Sequence, residues 1–564
     1  MNDFATVSFI PEHAENLPFK VLVIAQLTGI DDEHLPYKAK EINRENFSDV
    51  MKSYDISLRL ELENDRLCDI FNVEKQYFTI NYPINSLASF HPEAILEYEP
   101  NLNIIADIIV QLRACLQRAT FTFDQEQFSF HGLNLAIFEC LPVKRADLEW
   151  AVCELESVIS DVLDAILHHP QWQQIESSWR GLWWLCQDVT QESRCIVECL
   201  DYVPSYFKED VCHTSDVLDS DLYHHLYSNH LGLYGGIPYG SILLDYAFSN
   251  QLPDLQFLGR MAQLCAHLHV PLISGVSPQM FTTSDFSRLV ELGSLIDVFA
   301  SSRYIKWRNF CEQEQANYVA LTLPRLLIRS AYNPENSSLS WYHEQIGRSS
   351  ENCLWLNAAY GFTHNLIKSF MENGFCNLIF GQEGGQLNIE QLHAFNDALP
   401  VEVTLSEICE AELIRLGFNP VCSRVHAKQL LFQSANSVQW GYINQHLKAY
   451  NTSQMAAAQL QYRFIVLRTL HCIKILFREK IGSIETMQEL TDYLNVWLRQ
   501  FVSDVEFPSK AIRAQRPLRD GKIIVTEASL QGWYDISVAL TPHFKFLGNA
   551  MTFDASLTLA EGEA

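Results

Sequence analysis

Residues 343–347, His343-Glu344-Gln345-Ile346-Gly347, open like the helix of a zinc protease, in which two histidines four apart share one face. Gly347 stands where the second imidazole is required, so that chemistry is excluded. Cys195 and Cys199, with His224, His225 and His230 downstream, leave two readings open. They are either a zinc site or two half-buried thiols on a strand beside solvent-facing histidines, and no pair has ligand-like spacing. Two glycine clusters, 232–240 (GLYGGIPYG) and 381–385 (GQEGG), invite a phosphate-loop reading. Neither ends in Gly-Lys-Ser/Thr or matches G-x-G-x-x-G, and glycine's access to positive φ explains them as tight turns. No G-x-S-x-G elbow occurs, and His267 and His269 lie in an apolar stretch that suits a structural role. No catalytic residue, metal or cofactor is therefore expected, and an α/β hydrolase would lack its triad.

The elements that would carry any site belong to a large acidic chain. Its 564 residues and 64.7 kDa exceed one ordinary domain, so three or four packing units are expected. Hydrophobic residues at 48% and charged residues at 19% give a globular balance rather than a disordered one. A formal charge of −28 disfavours nucleic acid and anionic membrane, both of which reward basic surfaces. No run of 18 apolar residues occurs, and Met1–Ile10 lacks the basic and apolar regions of a secretory signal. The 15 cysteines are odd in number and mostly embedded in apolar runs, as around Cys265, Cys376 and Cys472. Reduced thiols of a cytoplasmic protein look like this, and membrane insertion and nucleic-acid partners are not expected.

Periodicity divides the chain. Residues 1–130 read as a compact α/β unit: 19–28 (FKVLVIAQLT) is a buried strand, and Ser57–Glu63 and Tyr77–Ile84 alternate as half-buried antiparallel strands. Leu102, Ile105, Ile109, Leu112 and Leu116 then recur at helical spacing. Residues 131–165 read as connection and helix, and 166–505 as a core of alternating strands and helices. Residues 506–564 read as a terminal segment with strands at 522–528, 533–541 and 551–559. The class is α/β (α+β), with mixed sheets flanked by helices in several domains. In the helix predicted over 171–186, Trp172, Trp179 and Trp183 follow one core-facing stripe, and Trp184 lies off it, open to a partner, with the core the preferred reading of the cluster.

Ordered motifs along the chain resemble the contractile sheath of the type VI secretion system, with both sheath subunits in one polypeptide. Leu17–Gly29 (LPFKVLVIAQLTG), Ile42–Met51 (INRENFSDVM) and Leu87–Leu102 (LASFHPEAILEYEPNL) are similar to the small subunit, TssB. Leu163–Leu185 is the most specific likeness to the large subunit, TssC, with His168, Pro170, Trp179, Arg180 and Gly181 punctuating two helices. Gly235, Gly236, Pro238 and Gly240 with Asp245, then Tyr304–Arg308 and Leu321–Arg325 with Pro324 and Arg325, continue that likeness. Trp355–Ala359, Ser434–Gln439, Arg516–Arg519 and Pro542–Gly548 complete it. Ile237 departs from the family, which usually carries an acidic residue in that turn. The family's large subunit also has a long helical N-terminal extension that a recycling AAA+ ATPase recognises. Here only residues 131–165, with Phe128–Pro142 running into them, separate the two parts, which argues against that ATPase as a partner.

The resemblance implies a non-catalytic protomer in the bacterial cytoplasm. It would polymerise with itself into a helical tube around an inner tube protein (Hcp-like), docked on baseplate components, and would contract by switching between two packings of rigid domains. A sheath of a related phage-tail-like particle is the alternative. Terminal strands would be exchanged between neighbouring subunits. Three segments suit this by pattern: Phe4–Ile10 with Phe4, Val7, Phe9 and Ile10; Trp533–Thr541 with Tyr534, Ile536, Val538 and Leu540; and Met551–Leu559 with Phe553, Leu557 and Leu559. By pattern alone they read first as edge strands of their own domain, whereas the resemblance implies that they are lent to neighbours. The basic run Lys510, Arg513, Arg516, Arg519 and Lys522 is either a solvated connection or a contact with the acidic surface of the next subunit.

Overall fold

Phe19–Ala25 is seven residues long and buried at every position, so it needs cover on both faces and a neighbour at both edges. A computed structural model describes residues 17–29, 36–63, 77–117, 145–228, 235–347, 352–388, 400–424, 429–447, 450, 452–480, 486–503, 505, 508–527, 533–543 and 552–560. Its strands are β1 (Phe19–Ala25), β2 (Lys40–Ile42), β3 (Ile56–Glu63), β4 (Tyr77–Ile84), β5 (Cys195–Asp201), β6 (Tyr239–Phe248), β7 (Leu272–Val276) and β8 (Val319–Leu323). They continue with β9 (Leu326–Arg329), β10 (Leu354–Leu356), β11 (Gln386–Leu387), β12 (Phe418–Arg424), β13 (Gln429–Phe432), β14 (Leu518–Glu527), β15 (Trp533–Pro542) and β16 (Phe553–Ala560). The helices used below are α1 (Pro100–Leu116), α2 (Arg145–Leu167), α3 (Pro170–Cys186), α4 (Leu252–Leu268), α5 (Ala358–Asn373), α6 (Leu460–Lys480), α7 (Met487–Arg499) and α8 (Lys510–Gln515).

A nine-stranded sheet in the order β11-β13-β12-β8-β7-β6-β1-β5-β2 forms the body. Its middle, β8 to β5, is parallel, and β1 lies between β6 and β5, with Val21 beside both Val197 and Ser241. The first segment is therefore not a self-contained unit, as its compact α/β pattern led one to expect. A strand apolar on both faces cannot be satisfied by the hairpin β3–β4, which pairs Leu60 with Ile80 in a separate two-stranded ladder. That hairpin instead turns Ile56, Leu58, Leu60, Ile80 and Tyr82 into the core shared with α1, α2 and α3.

Helix α3 corrects one expectation. Trp172, Trp179 and Trp184 are all buried, and Trp183 is the half-buried one, edge-on to Phe47 at 4.9 Å. Trp184, for which a partner contact stood beside the preferred core reading, stacks on His364 of α5 at 5.0 Å. The helix is enclosed over most of its circumference, so a single stripe understates its buried arc.

A separate core joins α6 and α7 to the antiparallel meander β14-β15-β16, and Leu17, immediately before β1, packs into it. Its helices and strands fall on opposite sides of the 505/506 boundary expected above. Where the two bodies meet, Gly240 abuts the Phe19 ring, and a Cβ there would lie 2.3 Å from it. Phe19 is itself stacked on Phe370 at 5.2 Å and cannot retreat. Gly240→Ala should therefore destabilise the chain by about 1–3 kcal/mol in denaturant unfolding; an unchanged midpoint would contradict this packing.

Candidate assembly interface

The motif around α3 builds a buried polar seam between the two parts of the chain. Pro170 occupies the first helical turn, where its missing N–H costs nothing, and the His169 side chain accepts from the Gln171 N–H. From this helix Glu176 accepts from Arg180 Nε at 2.7 Å and meets Arg329 Nε at 3.1 Å. Arg329, on β9, donates to both oxygens of Glu344 at 2.6 and 3.0 Å. His168, at the end of α2, lies 3.3 Å from Glu344, and the Tyr332 N–H donates to the same carboxylate. Tyr332 OH donates to the Phe90 carbonyl and accepts from Arg180, while Trp179 Nε1 donates to the Leu27 carbonyl at 3.0 Å. Both of those carbonyls belong to the first part of the chain. Burial alone would raise the Glu344 carboxyl, but the hydrogen bond at His168 and the Arg329 charge outweigh it and hold its pKa at about 2.

The remaining motif residues are also structural. Gly181 allows α3 to approach α5, since a Cβ there would lie 2.6 Å from Leu356 and 2.8 Å from Tyr360. Asp245 is buried and accepts from Ser178, Asn357 and Tyr360. Gly235 takes φ +80°, and the Gly236 carbonyl accepts from Arg478 of α6. Between Gly236 and Pro238, Ile237 packs on the core of the meander, so the departure from an acid supplies an apolar contact. The Leu323–Pro324 bond is cis, and Arg325 grips Glu402 through two hydrogen bonds of 2.9 and 2.8 Å. Cys195 and Cys199 are buried on β5, and burial pushes both thiols up to about 12. His224 is exposed, His230 lies outside the described residues, and no cluster able to hold a metal occurs among the described residues. Both thiols are fully rather than half buried, and His225, half-buried beside Tyr37, does not face solvent as expected.

The C-terminal meander carries most of the residues expected to meet a neighbour. Ile536, Val538 and Leu540 of β15 and Phe553 and Leu557 of β16 are buried, facing α6 and α7 together with Ile523 and Val525 of β14. Tyr534 packs on Phe477, and Leu559 pairs with it through the backbone. Strand β15 is hydrogen-bonded on both sides, to β14 and to β16. The outer edge of β14 is closed by side chains of α7. Asn495 accepts from the Ile523 N–H and donates to its carbonyl, and Thr491 accepts from Val525 N–H. Phe4, Val7, Phe9 and Ile10 lie outside the described residues.

The structure splits the basic run. Lys510 pairs with Glu383 of the same chain. Arg513 is half-buried on α8, Arg516 and Arg519 are exposed, and Lys522 lies on the outer face of the meander beside Asp554, Ser537 and Ser556. His543, which sequence reasoning did not single out, joins the arginines at the end of β15, its N–H donating to the Pro517 carbonyl at 2.8 Å. Nothing in the spacing signals this, because it depends on the β14–β15 register.

Comparison with known proteins accounts for the seam and the meander. Residues 149–439 match the family described as "EvpB/VC_A0108, tail sheath N-terminal domain", and residues 449–559 its "tail sheath gpW/gp25-like domain". Residues 11–124 match "Type VI secretion system, VipA, VC_A0107 or Hcp2". The type VI secretion system sheath protein TssC1 of Pseudomonas aeruginosa PAO1 is 30% identical over 416 residues, which cover 71% of this chain and 83% of that protein. The chain belongs to the type VI secretion sheath family. It fuses a VipA/TssB-like part to a VipB/TssC-like part, and it is a structural protomer of that sheath.

In this sheath protomer the seam should govern acid stability. The folded state holds the Glu344 carboxyl below its ordinary value of 4.5, so the stability it adds is present above that pH and is lost as pH falls toward 2. The expected loss is about 3 kcal/mol. Glu344→Gln should flatten that acid slope and cost about 3–5 kcal/mol at neutral pH, because Arg329 stays buried with half its charge partners. Denaturant midpoints measured across pH check both outcomes.

Proposed function

We propose that the chain polymerises with itself into a helical sheath by lending β16, the C-terminal strand, to the meander of a neighbouring copy. The observation that carries this is the state of the three strand edges. The outer edge of β14 is filled by Asn495 and Thr491, and β15 is paired on both sides. Within the meander and among the described residues, β16 is the strand whose outer edge has neither a ladder partner nor a side-chain cap, and it is tied to the sheet through one ladder. Releasing it breaks one row of backbone bonds, which the same strand recovers on an identical neighbour. A five- or six-bond ladder is worth roughly 5 kcal/mol at about 1 kcal/mol per bond. Donor and acceptor surfaces differ, so the contact is heterologous and propagates a helix. The N-terminal residues Phe4, Val7, Phe9 and Ile10 enter the same scheme as a second lent strand, because Leu17, the first described residue after them, roots in the core of the meander.

The tube so formed would surround an Hcp-like inner tube protein, rest on baseplate components and contract by rotation of rigid bodies in the bacterial cytoplasm. Protonated, buried cysteines suit that reducing compartment. No helix among the described residues is long and apolar enough to cross a membrane. Covalent fusion keeps the two halves equal in number and raises their effective concentration. A recycling AAA+ ATPase is left out of this reading, since α2 is packed along α1, with Arg113 paired to Glu156 at 2.6 Å, rather than presented as a separate recognition helix.

Ser537 and Ser556 face each other across β15 and β16 and are exposed, so a disulfide in Ser537→Cys/Ser556→Cys would fasten the strand to its own chain. The oxidised protein should stay monomeric in sedimentation and negative-stain microscopy, and reduction should restore tubes. Tubes of normal yield from the oxidised protein would remove this mode of assembly.

A further inference from the structure

The corner where β14 begins and β15 ends gathers cationic side chains that have no carboxylate partner among the described residues. Helix α8 is fixed against the body by its backbone: Ser509 caps it, and Asn377 donates to the carbonyls of Arg513 and Ala514 at 3.4 and 2.9 Å. This holds Arg513 with its Nε shielded from solvent and without an acceptor. The imidazole of His543 is brought alongside by the β14–β15 register, where burial and the nearby charges of Arg513 and Arg519 oppose its protonation against a backbone hydrogen bond at Ser503, and its Nε2 is shielded from solvent. Arg516 and Arg519 flank the pair and are exposed. Of the nearby acids, Glu383 is taken by Lys510 at the far end of the helix, and Asp520 accepts from the N–H of Gly521. Buried donors without acceptors are costly, and in native proteins they are usually met by a partner.

We infer that Arg513, Arg516, Arg519 and His543 form a receptor for a carboxylate-bearing segment of a second copy of this chain. The inference rests on the strand-lending reading, since a lent strand brings a neighbour to this end of the meander. Charge supplies the other half of the argument. The whole chain carries −28, yet residues 509–519 hold four basic side chains and no acid, so this corner is cationic in a chain with a large excess of carboxylates. Such a pairing is unlike on its two sides and fits a head-to-tail polymer. Guanidinium forks suit carboxylates in particular, because two parallel N–H donors match two oxygens. Exposed Arg516 and Arg519 would be screened beyond about 8 Å at physiological salt, whereas shielded Arg513 would hold its partner at close range.

The test uses the full-length chain in assembly and photo-crosslinking. Arg513→Ser/Arg516→Ser/Arg519→Ser should leave monomer folding intact by circular dichroism and weaken tube formation at least about ten-fold, with Lys at the same three positions recovering part of the loss. A photo-crosslinking amino acid at position 516 should join two copies of the chain and map to an acidic segment of the second. Normal tubes from the serine variant, crosslinks confined to one chain or to the tube protein, or saturable binding of inorganic phosphate to the monomer with assembly untouched would each overturn the inference. The strand-lending reading has its own control, the chain truncated after residue 551. Its failure to assemble beside a normally assembling serine variant refutes the carboxylate receptor alone, whereas normal assembly of the truncated chain refutes the lending reading.

Discussion

The insertion of β1 between β5 and β6 is the constraint from which the rest of the molecule follows. A run of seven buried residues has both rows of backbone groups and both faces to satisfy, and only the interior of a parallel sheet provides all four. The strand comes from the VipA-like part and its neighbours from the VipB-like part, so neither part completes the body without the other. Fusion in one polypeptide is the covalent counterpart of that dependence. It shortens the search for the partner and removes the route by which one half would be lost.

Around this strand the polar seam supplies direction. Compared with apolar side chains filling the same space, buried ion pairs such as Arg329 with Glu176 and Glu344 add little, because desolvation offsets much of the attraction, although breaking one by protonation or substitution is costly. What they exclude is misplacement: any other docking of α3 and β9 strands a charge in the core. The first part of the chain is recruited through carbonyls, Leu27 to Trp179 and Phe90 to Tyr332, so its backbone position is fixed as well as its side chains.

The meander is a second body with its own core, joined to the first at a few defined points. Leu17 packs in it while Phe19, two residues on, packs in the sheet, and the Leu17 carbonyl accepts from the half-buried Arg468 of α6 at 2.8 Å. Chain that begins on one body thus passes directly into the centre of the other. The two ends of the described chain meet the same helix, α6, against whose Tyr462 the β16 residue Phe553 also packs.

The sequence by itself determined the elements and the family. Alternation in Ser57–Glu63 and Tyr77–Ile84, the stripe Leu102–Leu116 and the helix 171–186 are local patterns set by side-chain period, and they reappear as β3, β4, α1 and α3. The motif His168, Pro170, Trp179, Arg180, Gly181 was legible as a family mark, although not as a seam, because its partners Leu27, Phe90, Arg329 and Glu344 lie far away in sequence. Tertiary structure alone decided which faces of α3 are covered, that β1 leaves its own segment, that Asn495 and Thr491 close one sheet edge, and that His543 joins the arginines. The physical reason is common to all four. Periodicity records how a residue stands relative to its near neighbours, whereas enclosure, edge capping and charge clustering depend on which distant segment arrives opposite.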